Sequence, residues 1–220
     1  MTWVKICGTT NLEDALTAVA AGADALGFVF YEKSPRKIDP ETARSIVRGL
    51  PATVEKVGVF VNQFEEAICE LADHTGLTAV QLHGDREDPH VADLIVKRRP
   101  ELKVVVGISM HQVNPEGWAM MWSPDAVHAF LVDAGDKSKY GGTGKVFDWQ
   151  ANRPRVEVIA RLGRVVVAGG LNPENVSEAI SILKPWGVDV ASGVETSPGK
   201  KDPEKVRAFI AAVRSTGKGK

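Results

Sequence analysis

The chain has 220 residues and carries 27 lysines and arginines against 28 aspartates and glutamates, a net charge of −1, so it has no field to draw in nucleic acid or an anionic membrane surface. Its two cysteines, Cys7 and Cys69, cannot make a disulfide framework, which points to a reducing, cytoplasmic setting. No apolar run approaches the ~18 residues of a membrane span, and a first strand beginning at residue 3 leaves no room for a signal peptide.

Residues 3–7, WVKIC, read as a short strand that stops at Gly8. A strand that ends in a cysteine puts a thiol at the mouth of whatever it lines. Asn11 is placed to cap a helix to Ala21, with Leu12, Ala15, Leu16 and Val19 at helical spacing and Gly22 as its stop. Residues 25–30, ALGFVF, are apolar almost throughout, as in a parallel strand covered on both faces. The polar stretch 31–38, YEKSPRKI, is a loop, and a helix opened by Asp39 or Pro40 runs to Gly49.

Strands are then expected at 56–61, 79–83 and 103–108, and helices at 64–74 and 89–98. The segment 111–122, with Pro115 and Gly117, reads as irregular or as a short helix. A sixth strand, 128–132, ends at Asp133 and is followed by a long glycine-rich loop, 134–145. Residues 148–162 are helical in part, with Pro154 limiting where the helix can begin. A seventh strand, 164–168, runs into Gly169-Gly170, and Asn172-Pro173 is placed to cap a helix through Leu183. An eighth strand, 187–191, ends in Ser192-Gly193, and 203–214 form the closing helix, with 215–220 expected to fray.

Strands alternating with helices imply a parallel sheet with right-handed crossovers. About eight such units point to an α/β fold, a (β/α)₈ TIM barrel, as one domain spanning 1–220. An open doubly wound sheet is the other arrangement that fits the alternation.

In such a barrel the chemistry sits at the C-terminal ends of the strands. Those ends hold Cys7-Gly8, Asn62, His83-Gly84, Ser109, Asp133, Gly169-Gly170 and Ser192-Gly193, with Arg36 in a loop above. Cys7 is either a buried small apolar residue or a thiol with thiolate character acting as nucleophile or base. Asp133 is either a cap on the loop after it or an acid in a semi-apolar pocket. Arg36 is a solvated loop residue or a fork for a carboxylate or phosphate. Gly141-Gly142-Thr143-Gly144, Gly169-Gly170 and Ser192-Gly193 each suit a tight turn, but the three together favour a phosphate site at the last strand ends. A base and an acid on opposite sides of one pocket mean proton shuffling, hence an isomerase or lyase. Cys69 reads as core. His74, His90, His111 and His128 show no metal-ligand spacing.

These strings resemble the phosphoribosylanthranilate isomerase family. The resemblance rests on Lys5-Ile6-Cys7-Gly8-Thr9-Thr10, Ser34-Pro35-Arg36, Gln81-Leu82-His83-Gly84, and Asp133 with the GGTG loop and Phe147-Asp148-Trp149. It continues through Ala168-Gly169-Gly170-Leu171, Val188-Asp189-Val190-Ala191-Ser192-Gly193-Val194-Glu195, Pro198-Gly199 and Lys201-Asp202. It runs from residue 3 to about 212 without departure at these positions. It implies an Amadori rearrangement in tryptophan biosynthesis, with Cys7 as general base, Asp133 as general acid and Arg36 on the anthranilate carboxylate. The glycines and Ser192 of the last three strand ends would hold the phosphate. His83 and Asp189 are rim residues with open roles. It implies no metal or organic cofactor, a phosphorylated small molecule as ligand, neither nucleic acid nor membrane as partner, and a monomer or homodimer. The related histidine-pathway isomerases use an aspartate where this chain has Cys7, and a non-catalytic phosphate-binding barrel is the reading from another class.

Overall fold

The computed structural model describes residues 1–84, 88–134 and 146–216. Among them, eight parallel strands close into a barrel in sequence order. These are β1 (Trp3–Cys7), β2 (Ala25–Val29), β3 (Glu55–Phe60), β4 (Ala79–Leu82), β5 (Lys103–Ser109), β6 (Ala129–Asp133), β7 (Arg164–Val167) and β8 (Gly187–Val190). Each is followed by a helix: α1 (Leu12–Ala21), α2 (Pro40–Arg48), α3 (Glu65–Thr75), α4 (His90–Arg98), α5 (Pro115–Met120), α6 (Trp149–Ala160), α7 (Val176–Leu183) and α8 (Pro203–Thr216). β1 closes the ring by pairing with β2 on one side, Lys5 against Ala25, and with β8 on the other, Lys5 against Asp189.

A strand alternates its side chains, so each has an inner and an outer face. Val4, Ile6, Leu26, Phe28, Val80, Leu82, Phe130 and Val132 point outward and pack beneath the helices. Trp3, Ala25, Val57 and Ala79 fill one part of the barrel interior, and Val105, Ala129, Leu131, Val166 and Ala168 another. The near-continuous apolar strands follow from this double burial. Burying each large outward side chain contributes about 1.5–3 kcal/mol, before the entropy that ordering it costs. Trp3 stacks on Trp186 with centroids 5.0 Å apart, and the Arg164 guanidinium lies 5.0 Å from the Trp186 ring.

Helix starts follow local chemistry. The Asn11 side chain accepts from the Asp14 N–H at 2.8 Å, a cap of about 1 kcal/mol, and Gly22 ends α1 at φ 99°. Asp39 accepts from Thr42 in the same way, with Pro40 in the first turn of α2. Residues 111–122 contain one short helix, α5, capped by Asn114.

Four expectations need correction. Pro154 lies inside α6 and does not set its start, because Asp148 caps the helix through Ala151 N–H and the helix forgoes one backbone bond at the proline. α7 begins at Val176, one turn after Asn172-Pro173, because Asn172 Oδ1 takes the Glu174 and Asn175 N–H groups into a turn of its own. α8 runs two residues past its expected end at Arg214, through Thr216, and the rest of the tail expected to fray lies outside the described residues. After β8, a 3-10 turn (Ser192–Val194) leads into a small antiparallel hairpin, β9 (Glu195–Ser197) and β10 (Lys200–Lys201), absent from the sequence reading.

Candidate active site

A pocket opens at the C-terminal ends of the strands. That is the place where a barrel of this kind puts its chemistry. Cys7 stands at the end of β1 and Asp133 at the end of β6, and both line it. Val29, Val59, Val61 and Leu131 form its apolar wall, and Tyr31, Ser34 and Arg36 come from the loop after β2. Gln81 and His83 enter from the β4 end, Gly169 and Gly170 from β7, and Asp189 and Ser192 from β8. Residues scattered through the sequence thus meet in one cavity.

Cys7 and Asp133 are each about nine-tenths buried, with 8% and 9% of their surface exposed. Burial pushes the Cys7 thiol above its ordinary range, while the Lys5 ammonium beside it works the other way. Lys5 lies inside the barrel, two residues below Cys7 on the same strand face. Its ammonium bonds Asp189 Oδ1 at 2.8 Å and Gln81 Oε1 at 3.0 Å. Burial would strip its proton, but Asp189 and Cys7 more than offset this and its pKa is raised. Burial lowers the His83 pKa, with Asp133 opposing. The charged group that most favours the Cys7 thiolate is therefore a lysine two residues away, while the charge of Asp133 acts on His83.

Arg36 reaches the pocket because Gly8, at φ 77°, gives way: a Cβ there would stand 2.5 Å from Arg36 Cδ. Its fork is partly engaged. Nε donates to Glu195 Oε1 at 2.9 Å and a terminal N to Oε2 at 2.7 Å. Glu195 also accepts from Lys201 Nζ at 2.8 Å and from the Gly199 N–H at 3.2 Å, and Lys201 Nζ bonds the Cys7 carbonyl. Burial pushes the Glu195 carboxyl up, but Arg36 and Lys201 outweigh it and hold it below the usual range. The hairpin is thus clamped to the strand that carries the thiol. Lys5, Gln81, Glu195 and Lys201 sit in recognised strings, but their roles were not read. For Lys5 the signal was present: a lone charge in an apolar strand, in step with Cys7.

Gly169 and Gly170 hold successive φ values of 82° and 65°, a course that glycine takes without strain. A Cβ on Gly169 would lie 2.8 Å from Asp133 Oδ1, so the β6 and β7 ends touch here. Gly193 does not line the pocket. It lies against the backbone after β7, where a Cβ would come within 1.9 Å of the Leu171 carbonyl oxygen. Gly141, Gly142, Thr143 and Gly144 lie outside the described residues. Cys69 is buried on α3, as expected. Among the described residues no three His, Cys, Asp or Glu side chains are grouped to hold a metal ion, and no helix is long and apolar enough to cross a membrane.

A family model described as N-(5'phosphoribosyl)anthranilate (PRA) isomerase matches residues 4–212. The N-(5'-phosphoribosyl)anthranilate isomerase of Geobacter sp. (strain M21) is 49% identical over 215 residues, covering 97% of this chain and 98% of the relative. The crystal structure of phosphoribosyl anthranilate isomerase from Thermotoga maritima superposes with a TM-score of 0.85 at 42% identity, covering 98% of this chain and all (100%) of that one. A second structure of such an isomerase, solved in complex with reduced 1-(o-carboxyphenylamino)-1-deoxyribulose 5-phosphate, gives a TM-score of 0.82 at 40% identity over 98% of this chain and 100% of its own. A closed eight-stranded barrel whose sequence matches at this level from end to end leaves one assignment: the chain is an enzyme that belongs to the N-(5'-phosphoribosyl)anthranilate isomerase family.

Proposed function

We propose that this chain converts N-(5'-phosphoribosyl)anthranilate to 1-(2-carboxyphenylamino)-1-deoxyribulose 5-phosphate, the isomerisation step of tryptophan biosynthesis, with Asp133 as acid and Cys7 as base. The observation that carries the residue roles is that a thiol from β1 and a carboxyl group from β6 line one pocket. The family match supports the reaction, and a relative is solved with the reduced form of this product bound.

Asp133 gives its proton to the ribose ring oxygen, the C1–O bond breaks, and the anthranilate nitrogen becomes an iminium. That cation acidifies the C2 proton. The Cys7 thiolate takes it, leaving an enolamine that becomes the ketone as C1 gains a proton and the C2 hydroxyl loses one. Cys7 ends as thiol and Asp133 as carboxylate, and one proton passed through solvent resets the pair. A thiolate disfavoured by burial is scarcer but a stronger base, and a positioned acid and base each typically supply ~10²–10⁴-fold. Arg36, with part of its fork held by Glu195, takes the substrate carboxylate. Gly169, Gly170 and Ser192 take the phosphate together with Gly141, Gly142, Thr143 and Gly144, and Gly193 lets the β8 end approach the backbone after β7. Anchors at both ends of the substrate fix the C2 proton between acid and base. The reading carries a phosphorylated small molecule as ligand and one cytoplasmic domain, as monomer or homodimer; the near-neutral charge gives no field for nucleic acid or an anionic membrane.

The test is turnover of N-(5'-phosphoribosyl)anthranilate, followed by loss of its fluorescence, beside the histidine-pathway aminoaldose. Conversion of the first with little of the second is expected. No conversion of the first overturns the reading.

A further inference from the structure

We propose that Lys5 is a positioning residue for Cys7: tethered inside the barrel by Asp189 and Gln81, its ammonium holds the negative charge that the sulfur must carry to act as base. This rests on the reading of Cys7 as base. The geometry is specific. Lys5 exposes 1% of its surface, so its charge is placed deliberately among otherwise apolar interior layers. Both side chains lean over Gly27 of β2. A Cβ there would stand 2.7 Å from Cys7 Sγ and 3.1 Å from Lys5 Cε, so the absence of that atom lets sulfur and lysine share one space. Asp189 and Gln81 hold the ammonium from the β8 and β4 sides at 2.8 and 3.0 Å.

The other charged groups around the sulfur do this less or not at all. Asp189 carries the wrong sign. Lys201, from β10, also acts against burial, but less than Lys5, and its ammonium is committed to Glu195 and the Cys7 carbonyl oxygen. Arg36 is engaged by Glu195, and the charge of Asp133 acts on His83. β2 offers Gly27 and Val29 and no charge. Burial pushes the Cys7 thiol up, and Lys5 is the first influence acting against it.

The experiment is alkylation of Cys7 by iodoacetamide against pH, in a Cys69→Ala background that removes the second thiol. Because Asp189 opposes Lys5 at the sulfur, the comparison is with Asp189→Asn alone: against it, the alkylation midpoint in Lys5→Met/Asp189→Asn should rise by about one pH unit or more, equivalent to about tenfold less thiolate near neutral pH. kcat should fall about in proportion while KM stays near wild type. Lys5→Arg, which keeps the charge, should restore most of the shift. An unchanged midpoint in a folded double variant overturns the proposal. Should that variant not fold, the ¹³Cε resonance of Lys5 in the wild type settles it. The resonance should inflect at the Cys7 alkylation midpoint and lose that inflection in Cys7→Ser, and a featureless titration overturns the proposal. If instead Cys7→Ser keeps near wild-type kcat, the base reading itself fails, whatever the alkylation profile shows.

Discussion

Arg36 shows how one side chain is made ready at the scale of a residue. A guanidinium presents five donors in a fixed fork. Glu195 occupies the Nε edge, which fixes the plane of the fork at the mouth of the pocket. Arg36→Ala should therefore act on binding. KM should rise by about tenfold to a hundredfold, as expected for loss of a charge-assisted hydrogen bond of roughly 1.5–3 kcal/mol, with kcat changed far less. Steady-state kinetics decide this, and a large loss of kcat at unchanged KM would contradict it. Cys7, Asp133 and Arg36 were legible in the sequence because each ends a strand or sits in a loop over one. Their partners were not. Glu195 lies 159 positions from Arg36, and only the closed ring brings them together. Lys5 did leave a signal, a lone charge in step with Cys7, but nothing local tells which groups its ammonium meets across the ring.

Among the elements, the β9–β10 hairpin ties Arg36 to the strand that carries Cys7. Glu195 joins Arg36 and Lys201, and Lys201 reaches the Cys7 carbonyl. Its two strands hold three and two residues, too short to leave a periodic signal. The folded-state carboxyl of Glu195 is held below its unfolded value of about 4.3. Its stabilising contribution is therefore fully present above that value and is lost as pH falls through the lowered one. Glu195→Gln should flatten the acid limb of the stability curve below about pH 5. Urea midpoints across that range test this, and an acid limb as steep in the variant as in the wild type would refute it. The starts of α6 and α7 differ from expectation for one reason: a proline in the sequence suggests a limit or an opening, but side-chain hydrogen bonds at Asp148 and Asn172 set the actual starts.

Across the whole molecule, the barrel divides its labour between an apolar wall and a reactive rim. The alternation of apolar strands with amphipathic helices made about eight units and a parallel sheet covered on both faces readable, while closure into a ring rested on the number of units in this length. The polar heart formed by Lys5, Gln81 and Asp189 was not readable, because it depends on the register that aligns β1 with β8. Phe209 of α8 is fully buried in the outer layer, far in role from the rim. Phe209→Ala should cost about 3–5 kcal/mol of stability and leave kcat little changed where the protein stays folded. Chemical denaturation with parallel kinetics checks both halves, and a kcat loss without a stability loss would place Phe209 in the machinery instead.

The proposed roles require the Cys7 sulfur and the Asp133 carboxyl group, which line one cavity, to act on one substrate. The most direct measurement is kcat for N-(5'-phosphoribosyl)anthranilate in Cys7→Ser and Asp133→Asn, with folding verified by circular dichroism and KM recorded. Each variant should lose about a hundredfold or more in kcat with KM near wild type. Near wild-type turnover by either folded variant would contradict the assignment of that residue.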